Sequence, residues 1–379
     1  MVEPMVEEIS LACPDVGPEE IAAVVAVLED QHLSLGPRLG AFEQAMARYA
    51  GTRDAVAVSS GTAALHMLVH ALGWGPGDEV VTTPFSFISS SNCLLFEGVR
   101  PVFADIDPVT WDMDPQAAEA AIGPRCRGLL PVHVFGRPCP MPRYMEIARR
   151  HDLQVIEDSC EALGSRIGQR MAGSFARAGC FAFYPNKQIT TGEGGMVVTD
   201  DEDLAATLRS LRNQGRGADG TWLSHERLGW NYRIPDILCA LGIVQLRRLE
   251  SFIEARQKVY DLYGQALGEV EGIVLPPPAT EDQRISWFVY VIALEEGSSR
   301  ERRNRVLEAL RARGIGCRNY FAPIHLQPFY RERFGLREGM FPVTESVAAR
   351  TIALPFHTRL DEAQVARVAQ ALREALGQS

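Results

Sequence analysis

The chain has 379 residues, of which 46% are hydrophobic and 23% charged, and its formal net charge is −10. These values are typical of a globular protein of two domains, or three, with a substantial buried core. The negative charge argues against a general nucleic-acid binder, because such proteins neutralise phosphates with Lys and Arg. It is still compatible with a small anion site built from backbone N–H groups.

The cysteine pattern, the N-terminal sequence and the length of the apolar runs indicate the cellular compartment. Eight cysteines are scattered without a CxxC pair, which is typical of reduced thiols in a cytosolic protein. The N-terminus, "MVEPMVEEIS", is acidic and lacks the features of a signal peptide. No apolar run approaches the ~18–20 residues that span a bilayer. We therefore expect a cytoplasmic protein with no membrane segment.

Short apolar runs alternate with helical patterns along most of the chain. Phe42, Met46 and Tyr49 lie at i, i+4 and i+7, which predicts a helix that ends at Gly51. The strand "DAVAVSS" follows, and "TAALHMLVHALG" then predicts a second amphipathic helix. Further strands are predicted at "DEVVTTPF", "RPVFADID", "GLLPVHVFG", "LQVIEDS" and "GCFAFYP", with helices at 115–122 and 141–151. This alternation predicts an α/β fold with a mostly parallel sheet covered by helices on both faces.

The pattern changes at about residue 237, where one long helical stretch begins. We predict an interruption of this helix around Gly242. A proline cluster, "LPPPATED", follows, and then a tail that resembles a βαβ unit and ends in an amphipathic helix. These features predict a large α/β domain over 1–250 and a smaller C-terminal α+β domain over 251–379. The first ~20 residues could pack on either domain.

The stretch "VAVSSGTAALHML" combines a strand, a tight turn and the start of a helix. Free N–H groups at a helix N-terminus, helped by the helix dipole, bind anions such as phosphate. Gly61 would allow close approach of the backbone, and Thr62 adds a hydroxyl group. The alternative is plain helix capping by Ser60 or Thr62.

Two further stretches follow strands. In "LQVIEDSCEALGS", Glu157 and Asp158 stand at the carboxyl end of a strand, the edge at which open α/β sheets bind ligands. A carboxylate there could cap a helix, act as a base or pair with a protonated ring nitrogen. Metal binding is less favoured, since no acidic residue or histidine nearby has metal-site spacing. In "TTPFSFISSSN", Phe85 and Phe87 either pack in the core or stack on a planar ligand.

Lys187 is the remaining candidate, at the end of the apolar strand in "CFAFYPNKQITTGEGGMVVTD". An enclosed lysine loses hydration and becomes nucleophilic enough to condense with a carbonyl group. The alternative is a solvated loop lysine. A phosphate cradle, a stacking aromatic ring, a strand-end aspartate and a lone lysine together are what a pyridoxal 5′-phosphate (PLP) site requires.

These segments together resemble the DegT/StrS family of sugar-nucleotide aminotransferases, within fold type I of the PLP enzymes. The resemblance covers nearly the whole chain, through "SLGPRLGAFE", "VAVSSGTAAL", "GDEVVTTPFSF", "PVFADIDPVTW", "PVHVFG", "VIEDSCEALGS", "NKQITTGEGGMVVTDD", "RNQGR", "LGWNYRIPDILCALGIVQL" and "YFAPIHLQPFY". It implies a homodimer whose active sites are shared between the subunits.

The resemblance assigns roles to individual residues. Lys187 would bind the cofactor covalently and move protons, and Asp158 would pair with the pyridine nitrogen. The remaining assignments are Phe87 to ring stacking, Gly61 and Thr62 to the phosphate, Asn231 to the phosphate of the other subunit's cofactor, Glu161 to the neighbourhood of the phenolic oxygen, and Tyr320 and His325 to the substrate.

Two positions depart from the family pattern. The family often has a phosphate-binding serine five residues before the lysine, where this chain has Ala182. That contact would then be lost or supplied by another group such as Asn186. The position three residues after the aspartate is commonly Gln or His, and here it is Glu161. Glu161 would be protonated, turned away or a marker of specificity.

The resemblance implies amino transfer from L-glutamate to the C3 or C4 ketone of a nucleotide-linked keto-deoxysugar, through the pyridoxamine form of the cofactor. Such products enter surface polysaccharides, including lipopolysaccharide, or glycosides. A deoxygenating dehydrase of the same family would carry histidine in place of Lys187. Amination of a free cyclitol ketone, such as an inosose, stays open. A PLP-binding regulatory homologue without turnover is the alternative that is not an enzyme.

Overall fold

The computed structural model describes residues 8–217 and 224–377. The α-helices are α1 (Pro18–Asp30), α2 (Pro37–Ala50), α3 (Gly61–Ala71), α4 (Ser89–Phe96), α5 (Pro115–Ala120), α6 (Met141–Arg150), α7 (Glu202–Arg212), α8 (Asp236–Leu267), α9 (Arg300–Ala312), α10 (Pro328–Phe334), α11 (Pro342–Arg350) and α12 (Glu362–Leu376). The strands are β1 (Asp54–Val58), β2 (Glu79–Thr82), β3 (Arg100–Phe103), β4 (Cys126–Leu130), β5 (Gln154–Asp158), β6 (Arg166–Ile167), β7 (Arg170–Met171), β8 (Ala178–Ala182), β9 (Gly195–Thr199), β10 (Ile273–Val274), β11 (Gln283–Arg284), β12 (Tyr290–Leu294) and β13 (Thr351–Leu354).

Within the described residues, seven strands form the main sheet in the order β1-β9-β8-β5-β4-β2-β3. Neighbouring strands are parallel except at β9, which runs antiparallel to both β1 and β8. The strands that carry the predicted site therefore end at the same edge. In particular, Asp158 at the end of β5 pairs with Cys180 of β8, two residues before Ala182. The predicted mostly parallel sheet is confirmed.

The predicted helical faces are buried against this sheet. Phe42 and Met46 of α2 have no exposed surface, and Leu65 and Leu68 of α3 are equally buried. Burial of such side chains is the main driving force that holds each helix on the sheet, at about 1.5–3 kcal/mol for each large apolar side chain. The helices predicted at 115–122 and 141–151 appear as α5 and α6, each ending one or two residues earlier.

The long helix α8 runs for 32 residues without a break, so the predicted interruption at Gly242 is wrong. A Cβ atom at Gly242 would lie 2.6 Å from the Phe42 ring and 2.9 Å from Cγ2 of Thr191. The glycine lets α8 pack closely against α2 and the loop after Lys187. The glycine at this position is therefore explained by close packing between elements and not by a break in the helix.

The C-terminal part of the chain has its own sheet and core. Strands β10, β12 and β13 form an antiparallel sheet, so the parallel pairing that a βαβ unit implies is not formed. Ile9 runs beside Ile315 and exchanges backbone hydrogen bonds with Gly314 and Gly316. The predicted domain boundary near 250 falls inside α8 and stays a prediction. In the part of the chain that the structure describes, every helix is too short or too polar to cross a membrane.

Candidate active site

A cleft of about 660 Å³ opens at the carboxyl ends of β1, β4, β5 and β8. This is the edge at which open α/β sheets bind ligands, and the volume lies within the ~300–1,000 Å³ of small-molecule sites. Seven of the residues singled out by the sequence line it together: Gly61, Thr62, Phe87, Asp158, Glu161, Lys187 and Tyr320.

The N-terminus of α3 forms one end of the cleft. The Ser60 side chain accepts a hydrogen bond from the Ala63 N–H group, at 3.1 Å, so the predicted cap is present. Capping leaves other N–H donors of the first turn free for an anion, because those of Gly61 and Thr62 have no carbonyl partner within the helix. The Thr62 hydroxyl lies 2.8 Å from Oγ of Ser89, which adds a second hydroxyl. The cap and the anion site therefore coexist.

Gly61 lies where the helix end meets β8. A Cβ atom on this residue would be 2.7 Å from Cβ of Ala182 and 3.0 Å from Sγ of Cys160. Ala182 thus faces the start of α3, as expected for the position of a phosphate-binding serine, but it offers no hydroxyl group. Thr62 and Ser89 offer hydroxyl groups at this end of the cleft.

Asp158 is 4% exposed, and both of its carboxylate oxygens are oriented by hydrogen bonds. Oδ2 accepts from Oγ of Ser90 at 2.7 Å, and Oδ1 accepts from the Cys160 N–H group at 3.1 Å. These two donors fix the direction of the carboxylate. The side chain is therefore prepared to accept a hydrogen bond from a protonated ring nitrogen.

Glu157, the neighbouring acid, is fully buried and does not line the cleft. The Cys139 N–H group donates to Nδ1 of His133, so the ring proton is on Nε2, which donates to Glu157 at 3.0 Å. Glu157 also accepts from the Gly173 and Ala176 N–H groups. Its role is to anchor β5 behind Asp158.

Lys187 lies just after β8, and its side chain is 13% exposed. Its Nζ is 3.4 Å from Oε1 of Glu161 and 4.1 Å from the centroid of the Phe288 ring. The amine therefore has an acid on one side and an aromatic face on another. The turn that begins at Thr191 then leads into β9, which leaves the cleft antiparallel to β8.

Glu161 points into the cleft, so the hypothesis that it turns away is wrong. Its Oε2 accepts a hydrogen bond from the Phe135 N–H group at 3.0 Å. Burial raises the pKa of this carboxyl, and the nearby Lys187 only partly offsets the rise. Burial and the Glu161 charge together raise the pKa of the Tyr320 hydroxyl.

Two predicted site residues lie elsewhere. Asn231 is exposed, and its backbone pairs with Asn213 outside the cleft. His325 is buried, and its Nε2 lies 2.9 Å from Oε1 of Glu345. Burial lowers the pKa of His325. The roles given to these two residues stay predictions.

The structure adds cleft residues that the sequence did not single out. Ser90 orients Asp158 and belongs to the polar run "SSSN", whose position after Phe87 was a usable signal. Phe288 lies under the Lys187 amine but comes from a segment about one hundred residues away. Nothing near Phe288 in the sequence marks it.

The cleft fits PLP on four independent features. Thr62, Ser89 and the free N–H groups of α3 suit a phosphate, and oriented Asp158 suits a pyridinium nitrogen. Phe87 is 61% exposed although it is a large apolar side chain, which suits a ring that stacks on a planar ligand. Lys187 then supplies the amine that an aldehyde requires.

Comparison with known proteins agrees with this geometry. Residues 14–373 match the DegT/DnrJ/EryC1/StrS aminotransferase family. The chain is 37% identical over 371 residues to the spore coat polysaccharide biosynthesis protein SpsC of Bacillus subtilis, covering 95% of each chain. It is 37% identical over 369 residues to GDP-perosamine synthase of Caulobacter vibrioides, covering 97% of this chain and 98% of the synthase. Spr1654 of Streptococcus pneumoniae, solved in its PMP form, superposes with a TM-score of 0.93 at 27% identity, covering 98% and 99% of the two chains.

The fold and the cleft define an aminotransferase of PLP fold type I. The chain belongs to the DegT/DnrJ/EryC1/StrS aminotransferase family. The predicted family, fold class, enzyme class and cofactor are thereby confirmed.

Proposed function

We propose that this enzyme transfers an amino group from L-glutamate to the C3 or C4 ketone of a nucleotide-linked keto-deoxysugar. The observation that carries the proposal is the meeting of Lys187, Asp158 and the α3 N-terminus in one cleft. The names of the two sequence relatives support the acceptor class, since one makes GDP-perosamine and the other serves spore coat polysaccharide synthesis. We extend the proposal to amino-sugar supply for surface polysaccharide, lipopolysaccharide or glycoside biosynthesis in the cytoplasm.

Each residue of the cleft has a defined task in this reaction. PLP, when bound, supplies an aldehyde and an electron-withdrawing ring. Asp158 would accept a hydrogen bond from the ring nitrogen, and Phe87 would offer an aromatic surface to the ring. The α3 N-terminus with Thr62 would hold the phosphate. Lys187 would bind the cofactor, and its Nζ would carry a proton as a general acid and base.

The sequence makes the catalytic lysine easy to test, because Lys187 and Lys258 are its only two lysines. Lys258 is exposed on α8, outside the cleft, and serves as the matched control. We expect Lys187→Ala to abolish the conversion of glutamate to 2-oxoglutarate and Lys258→Ala to leave it unchanged. Borohydride reduction of the PLP-loaded wild type followed by peptide mapping should mark Lys187 alone. Turnover of Lys187→Ala at the wild-type rate would contradict the mechanism.

The acceptor is tested separately with the enzyme in its pyridoxamine phosphate form. Nucleotide-linked 3-keto and 4-keto sugars should return the cofactor absorbance to that of PLP, and a free cyclitol ketone should not. Return of the absorbance with the cyclitol alone would replace the proposed acceptor. An unchanged absorbance of bound PLP on addition of glutamate would contradict the proposal and favour a PLP-binding regulator.

A further inference from the structure

Arg256, in the middle of α8, contacts the catalytic lysine from behind the cleft. Its Nη2 donates to the backbone carbonyl of Lys187 at 3.3 Å. Its Nη1 donates to the carbonyl of Phe288 at 3.0 Å and to that of Trp287 at 3.4 Å. One guanidinium group thus joins the segment that carries the reactive amine to the segment that carries the ring beneath it.

This guanidinium group is 4% exposed and lacks a counter-ion in the described part of the chain. Burial lowers the pKa of Arg256 to about 10, and no carboxylate offsets the effect. His357 is a titratable neighbour, and its pKa is lowered to about 4 by burial and by Arg256 and Arg359. The Phe356 ring, 5.6 Å away, provides only a cation–π contact. A buried cation without a counter-ion lowers stability, so the hydrogen bonds to the carbonyl groups are needed to hold it there.

A second side chain links the same two segments on the other side of Lys187. Nε2 of Gln188 donates to the Glu161 carbonyl at 2.5 Å and to the Ser286 carbonyl at 2.7 Å. The backbone around residues 187–188 is therefore tied to residues 286–288 at two points. These ties fix the Lys187 amine relative to Glu161 and to Phe288.

We propose that Arg256 is a positioning residue for amino transfer: its fork of hydrogen bonds to the Lys187 and Phe288 carbonyls holds the lysine amine where proton transfer requires it. This inference rests on the proposed function. It adds to it a residue that touches neither substrate nor cofactor and acts through Lys187.

The test compares Arg256→Lys with Arg303→Lys in the PLP-loaded enzyme. Arg303 of α9 is the control, because it is 5% exposed, has no carboxylate acting on it among the described residues, and its Nη1 donates to the Ala348 and Thr351 carbonyls away from the cleft. Both variants keep the charge and lose the guanidinium geometry. We expect the rate of the glutamate half-reaction at saturating glutamate to fall about 10–100-fold in Arg256→Lys, because a misplacement of about 1 Å can cost this much. The Arg303→Lys rate should stay within about two-fold of wild type.

A spectroscopic measurement separates positioning from general destabilisation. In Arg256→Lys the visible circular dichroism of bound PLP, normalised to its absorbance, should change, whereas Arg303→Lys should match the wild type. If Arg256→Lys does not fold, Arg256→Gln replaces it, since a neutral amide keeps donors without burying a charge. A wild-type rate and an unchanged spectrum in the folded Arg256 variant would overturn this inference, and so would an equal rate loss in Arg303→Lys. Failure of the wild type to convert glutamate would instead contradict the proposed function.

Discussion

The Glu161 carboxyl is a cleft residue whose ionisation the fold disfavours. Burial raises its pKa above the ordinary value of 4.5, although Lys187 lies 3.4 Å away. A raised carboxyl pKa stabilises the fold fully below the unfolded value and loses this effect as pH rises through the folded value. Gln at this position keeps the acceptor for the Phe135 N–H group and does not ionise. We therefore expect the melting temperature of Glu161→Gln, minus that of wild type, to increase as pH is raised from about 4.5 to 8.

The control for this prediction has the opposite sign. Asp201 caps α7, and the hydrogen bond from the Leu204 N–H group, with further help from Arg177, lowers the pKa of its carboxyl. Asp201→Asn keeps the cap but loses stability that wild type gains as pH rises. Its melting temperature relative to wild type should fall as pH rises from about 2 to 5, where the carboxyl titrates in the unfolded chain, and stay level above that range. Thermal scans of the cofactor-free proteins check both trends, and a flat difference for Glu161→Gln would show that the fold tolerates the charge.

Local sequence was enough to point to the cleft residues that follow strand ends. Asp158 ends β5, Gly61 and Lys187 follow shortly after β1 and β8, and strands that end at one edge must bring such residues together. Phe288 and Arg256 could not be found this way, because only tertiary packing brings residues 256 and 288 to residue 187. The direction of the Glu161 side chain was undetermined for the same reason, since the Phe135 N–H group that holds it lies on another loop.

At the level of elements, α3 and β8 meet closely at the proposed phosphate site. A Cβ atom at Gly61 would lie 2.7 Å from Cβ of Ala182, closer than carbon atoms pack. Gly61→Ala should therefore push the α3 N-terminus away from β8, lower the free energy of unfolding by about 1–3 kcal/mol and weaken PLP binding. Urea unfolding and absorbance titration with PLP measure the two effects.

Gly40 in α2 offers the comparison for this substitution. A Cβ atom there meets nothing within 4 Å, and the position is exposed. Gly40→Ala should raise the free energy of unfolding by about 0.4–1 kcal/mol, because alanine favours the helix, and leave PLP binding unchanged. Equal PLP affinity in both variants would show that the α3 end does not hold the phosphate.

The sequence predicts helices and strands correctly where apolar periodicity determines them. It fails where tertiary packing determines them. The alternation of strands and helices up to β8 follows from the periodicity of apolar residues and from turn residues. The mostly parallel sheet is therefore predictable from the sequence. Gly242 was misread because a glycine inside a helix can mean a break or a close contact, and only the position of the Phe42 ring distinguishes them. The βαβ prediction for the C-terminal part is wrong because the sequence of an apolar strand does not determine whether it pairs in parallel. The antiparallel pairing of β12 with β13 is seen only in the structure.

On the scale of the whole molecule, exposed apolar side chains favour a second copy of the chain as a partner. Phe96 and Leu228 are each more than half exposed. Asn231, three residues after Leu228, lies outside its own cleft. A two-fold dimer that covers this surface would carry the Asn231 of each subunit to its partner, which is our proposal for the shared sites.

Mixing two inactive or weakened variants tests shared sites directly. In a dimer of Lys187→Ala with Asn231→Ala, one site would receive Lys187 from one subunit and Asn231 from the other, and so be fully native. The other site would carry both defects. Random pairing after co-expression makes half of the dimers mixed, so we expect about a quarter of the wild-type turnover per subunit at limiting PLP. A site confined to one chain would instead give only the mean of the two parent activities, and a recovery no greater than that mean would rule out the shared arrangement.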